Sequence, residues 1–126
     1  MNATPLILAT LLLGSVPALA QERAPVPDAR SLLLAALRAP DGQAHGLLSG
    51  EMADAIRQRF QASSPIYIDV TTLHRYVQSG CSRLNVKFWQ DGVRLPGAPN
   101  PQRQTIEFGI NYCLDGLPPK SLEIRR

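Results

Sequence analysis

Two short blocks, CSRLNVKFW from Cys81 and TIEFGINYC ending at Cys113, constrain this chain more than anything else in it. In the first, Leu84, Val86 and Phe88 alternate with Arg83, Asn85 and Lys87; in the second, Ile106, Phe108 and Ile110 alternate with Glu107, Gly109 and Asn111. A period of two with one apolar side is the pattern of a strand that buries one face. If the blocks pair antiparallel with Cys81 opposite Cys113, then Leu84 faces Ile110, Val86 faces Phe108 and Phe88 faces Ile106. On the other side Lys87 meets Glu107 as an opposite-charge pair. A slip of one residue breaks every one of these matches, so the pattern predicts one register.

That register answers what the only two cysteines do. No C-x-x-C is present for redox work. A zinc site needs about four ligands, and neither histidine, His45 or His74, has metal-like spacing to a cysteine. A Cys81–Cys113 disulfide is predicted, worth about 3–4 kcal/mol in the chain-entropy picture. Disulfides belong to oxidising compartments, and the N-terminus agrees. MNATPLILATLLLGSVPALA has no charged side chain, and its apolar run is followed by Ala18-Leu19-Ala20. It is read as a cleavable signal peptide over residues 1–20, too short in its apolar run for a membrane span. Export to the periplasm is expected, with secretion as the alternative, and no membrane attachment after cleavage.

Removing the first 20 of the 126 residues leaves 106, enough for one domain, and all 13 Lys/Arg and 10 Asp/Glu lie in that part. The net charge of +3 is too dispersed for a nucleic-acid footprint. Residues 21–27, QERAPVP, read as a flexible leader before a single domain over 28–126. Asp28 is placed as the N-cap of a helix over ARSLLLAALRA, whose Leu32, Leu33, Ala36 and Leu37 share a face. The glycine-spaced GQAHGLLSG reads as an irregular connection. Ser49 is placed as the cap of a second helix near 50–61, with Met52, Ile56 and Phe60 on one side. From Ile66 the period becomes two, with a phase slip of the kind a bulge makes near LHRYV. Asp91-Gly92 reads as a type I′ hairpin turn, PGAPNPQRQ as a loop, and the tail carries at most a short strand. The predicted fold is α+β: two N-terminal helices on one face of a three- to four-stranded antiparallel sheet with one disulfide.

No residue set predicts a reaction or a cofactor. His45 and His74 could serve as general bases, but no nucleophile with an orienting acid accompanies them, and the chain is read as a non-enzyme. What remains is a surface. Arg83, Lys87 and Trp89 share the sheet's non-core face, and Trp and Arg are enriched at binding hot spots. Arg94 and Arg103 bracket the proline-rich loop and complete the candidate partner-binding set.

CSRLNVKFWQDGV, QTIEFGINYCLDGLPPKSL and SGEMADAIRQRFQ together resemble a family of small exported proteins encoded in bacterial conjugative-transfer and integrative-element gene clusters. The likeness spans roughly 29–123 and brings no catalytic residue. It implies an accessory role near a conjugation or type IV secretion apparatus, with a protein partner in the cell envelope. A small inhibitor or immunity module acting on a hydrolase is the alternative, and a small enzyme using His45 or His74 ranks below it. The sequence leaves the oligomeric state open.

Overall fold

The computed structural model describes residues 2–7, 9, 14 and 23–126. The signal-peptide reading of residues 1–20, including its cut after Ala20, lies for the most part outside the described residues. From Arg23 onward the chain builds a five-stranded mixed sheet in sequence order with two helices. The strands are β1 (Ala24–Val26), β2 (Gln43–Leu48), β3 (Ile66–Arg75), β4 (Cys81–Val93) and β5 (Gln102–Cys113). Helix α1 (Arg30–Arg38) lies between β1 and β2, and α2 (Glu51–Phe60) between β2 and β3.

This corrects the predicted fold class. The sheet has five strands, β1 runs parallel to β2, and the helices alternate with strands instead of preceding them. Both added strands are weak signals. β1 is three residues, Ala-Pro-Val, within what reads as a leader, and only Val26 of it is buried. β2 buries Ala44, Gly46 and Leu48 on alternate positions, a period of two carried by small side chains. Gly46 is needed for close approach: a Cβ there would lie 2.9 Å from Leu32 Cδ1 of α1 and 3.1 Å from the Ala24 carbonyl oxygen. The glycine spacing that suggested a loop is what lets α1 and β1 sit down on β2.

Both helices cover the same sheet face. Leu32, Leu33 and Ala36 of α1 and Ala53 of α2 form one core with Ile66, Ile68, Val70, Leu84 and Val86. The helix spans match the sequence reading to within one residue at each end, but the caps differ. α1 is capped by Ala29, and the Asp28 carboxylate accepts the Arg30 backbone N–H at 2.9 Å instead. At α2, Gly50 with φ 83° holds the cap position predicted for Ser49.

The β4–β5 register is the predicted one: Cys81 lies opposite Cys113, Leu84 opposite Ile110, Val86 opposite Phe108, and Phe88 opposite Ile106. The disulfide closes with a Cα–Cα distance of 4.1 Å across a sequence separation of 32. The predicted phase slip in β3 is present between Thr72 and His74. It turns Tyr76 onto the disulfide's face, where the three side chains bury one another. Two local expectations fail. Asp91-Gly92 is no hairpin turn: β4 continues to Val93 through a bulge in which Gly92 takes φ 70°. Lys87 and Glu107 do face each other, yet Glu107 accepts from Asn85 Nδ2 at 2.6 Å and makes no salt bridge with Lys87.

The tail after β5 wraps the β3–β4 turn. Val77 N–H donates to Glu123 O at 2.7 Å, Arg125 N–H to Arg75 O at 2.8 Å, and Lys120 N–H to Gln78 Oε1 at 2.7 Å. This closes the disulfide end of the sheet.

Candidate functional site on the open sheet face

With the helices on one side, the odd-numbered positions of β4 before its bulge and of β5 point to the other side, together with Tyr67 and Asp69 of β3 and His45 of β2. Four side chains make a row across this face. The rings of Tyr67 and Trp89, directly opposite on adjacent strands, stack with centroids 4.0 Å apart and planes inclined by 23°. The Arg23 guanidinium lies 4.8 Å from the Tyr67 ring centroid, and the Arg103 guanidinium 4.4 Å from that of Trp89. The order is cation, ring, ring, cation, within the range where each cation–π contact contributes about 0.5–1 kcal/mol.

Carboxylates fix both ends of the row. Asp69 accepts three bonds: from Arg23 at 2.8 Å and His45 Nδ1 at 2.6 Å on one oxygen, and from Trp89 Nε1 at 2.7 Å on the other. Burial by itself raises the Asp69 carboxyl, but the bonds from His45, Trp89 and Arg23 outweigh it and hold the group below its ordinary value. At the far end Asp91 takes Arg103 bidentately, at 2.7 and 3.3 Å, and is lowered by that hydrogen bonding. Tyr67, Asp69 and Trp89 are half-buried, so the rings are held and still present an edge to solvent.

The candidate residues therefore divide. Trp89 and Arg103 come together in the row. Lys87 lies beside it on the same face, opposite Asp69 on one side and Glu107 on the other. Arg83 lies toward the disulfide end. Its guanidinium donates to Asn111 Oδ1 at 3.1 Å, and that oxygen also accepts from the Tyr76 hydroxyl at 2.6 Å. Arg94 is elsewhere, past the end of β4, with its N–H donating to Phe60 O at the end of α2. His74 stands edge-on to Tyr76, away from the row.

Four members were missed in the sequence: Arg23, Tyr67, Asp69 and Asp91, the last read as a turn residue. Tyr67 and Asp69 alternate outward from Ile66, Ile68 and Val70, so extending the register argument from β4 to β3 would have set Tyr67 opposite Trp89. Arg23 gives no such signal, because its place depends on β1.

His45 holds its carboxylate through Nδ1, while Nε2 lies 3.4 Å from Gln43 Oε1. With Asp69 engaged by three donors, the imidazole, the indole and the Arg23 guanidinium are held in one fixed arrangement. Among the described residues no three His, Cys, Asp or Glu side chains converge as a cation site requires, and no helix is long and apolar enough to cross a membrane. The chain matches no family model, no curated protein and no solved structure.

Proposed function

We propose that this is an exported interaction protein of the cell envelope whose open sheet face binds a protein partner. The observation that carries the reading is the Arg23–Tyr67–Trp89–Arg103 row. It sets rigid aromatic surface beside two cations already oriented by carboxylates, the side-chain types that dominate binding hot spots. Because Asp69 and Asp91 fix these groups in advance, little side-chain entropy remains to be lost on docking. The partner's matching surface carries carboxylates and apolar side chains. Placement in the periplasm rests on the N-terminal segment, and the disulfide fits an oxidising compartment. Association with a conjugation or type IV secretion apparatus rests on the resemblance of the two strand blocks and the second-helix block.

Immobilised protein beginning at Gln21 tests the reading against envelope extracts, with Trp89→Ala and Arg103→Ala as comparators. Retention of an envelope protein that falls by roughly tenfold or more in Trp89→Ala is the expected result, as for a hot spot worth about 2 kcal/mol. Equal recovery on wild type and both variants contradicts it.

A further inference from the structure

The free edge of β5 is a second surface, independent of the open-face row. β5 is twelve residues long and among the described residues is paired on one side only. Cys113 N–H turns away from β4 to Leu117 O, while Leu114 N–H turns toward it to Gly80 O. By the alternation of an antiparallel ladder, the N–H and C=O groups of Thr105, Glu107, Gly109 and Asn111 then point outward from the sheet. Along this edge the two helices do not reach the apolar side chains. Ile106 is 68% exposed and Phe108 46%, although both lie on the helix face of the sheet. Next to them a groove of about 300 Å³ runs between α2 and β5, lined by Ile56, Phe60, Phe88, Val93 and Ile106. A long, partly apolar edge without Pro or Lys is a template for strand addition.

We propose that the occupant is a second copy of this chain, pairing β5 with β5 antiparallel about a two-fold axis at Phe108. This register matches side chains on both faces and sets opposite charges against each other. On the helix face Phe108 meets Phe108 of the other copy, and Ile106 meets its Ile110. On the open face Glu107 meets the other copy's Gly109. That glycine is roofed by Arg83: a Cβ at 109 would come within 2.5–2.9 Å of the guanidinium. The Glu107 carboxylate of each copy therefore arrives beside the Arg83 guanidinium of the other, giving two symmetric ion pairs at the edge. Centring the axis on Glu107 instead would set two carboxylates against each other. Centring it on Ile106 would place Phe108 against Gln104. The outward groups of Thr105, Glu107, Gly109 and Asn111 form about eight hydrogen bonds in the Phe108-centred register. The result is a continuous ten-stranded sheet with all helices on one face and both Trp89–Arg103 rows on the other, an isologous dimer able to engage a repeating partner at two points.

Sedimentation of the chain from Gln21 across a concentration series tests this. Wild type is expected at twice the monomer mass. Glu107→Arg, which sets Arg against Arg, raises the dissociation constant by roughly tenfold or more, and the double variant Arg83→Glu/Glu107→Arg restores the dimer. A readout of register comes from Phe108→Cys, which closes an intermolecular disulfide on mild oxidation while Gln104→Cys does not, since only a pair on the axis brings like positions within disulfide reach. A wild-type monomer at every concentration, or a dimer indifferent to Glu107→Arg, overturns the proposal. Either outcome leaves the open-face partner reading untouched, because that reading is measured through Trp89.

Discussion

Asp69 shows how one residue can organise a surface. Its two oxygens hold an imidazole, an indole and a guanidinium from β2, β4 and the segment before β1. Removing the charge while keeping the shape leaves three donors facing an amide that satisfies them poorly. Asp69→Asn is therefore expected to cost about 1–3 kcal/mol of stability, with a change in Trp89 fluorescence as the ring loses its anchor. The pH dependence has a definite sign. The folded-state pKa is depressed, so the carboxylate's contribution is complete above the unfolded value of about 3.9. It is lost as pH falls through the lower folded value. Urea midpoints of the wild type should drop on that acid limb, and the Asn variant's midpoints should lack this component; parallel curves would show that Asp69 is not the coupling group. Trp89 was legible as a surface candidate because strand alternation points it outward; Arg103 was singled out with the proline-rich loop, and its place inside β5 beside Trp89 was not legible there. Tyr67 and Asp69 obey the same alternation but read as ordinary polar positions until their register with β4 is known.

At the level of elements, side chains that had to find one another across strands were legible, and backbone packing was not. The β4–β5 register followed from apolar pairs and sulfurs that no slip could satisfy, and α1 followed from its apolar face. The span of α2 was legible too, but of its predicted face Met52, Ile56 and Phe60 none is fully buried, Met52 is exposed, and Ala53 is the residue it buries. β1 and β2 left no comparable mark, because a three-residue strand has no period and β2 turns Ala44 and Gly46 inward where larger residues would have signalled a strand. The β1–α1–β2 unit depends on that smallness. Gly46→Val puts a branched side chain where Leu32 and the Ala24 carbonyl already stand. It should cost about 1–3 kcal/mol through overpacking and raise amide exchange in β1 and α1 while β4 and β5 stay protected. Uniform loss of protection across all five strands would contradict this division. The disulfide does complementary work at the other end, where Tyr76 and the tail close over it.

On the scale of the whole molecule, the protein is a sheet with helices on one face and the aromatic–cation row on the other. Helices of nine and ten residues cover the middle strands and leave Ile106 and Phe108 of β5 exposed. The opposite face carries its aromatic and cationic side chains already paired and stacked. A sheet that needed only solubility would not require that row to be fixed at both ends by carboxylates. The open face is where we propose that a partner docks. A photo-crosslinking side chain at position 87, beside Trp89 and away from the β5 edge, tests it inside intact cells, with position 58 on the exposed side of α2 as the control. A covalent adduct with an envelope protein from position 87, absent from position 58 and lost when Trp89→Ala is added, is the predicted result. No adduct from position 87, or the same adduct from both positions, would contradict the account.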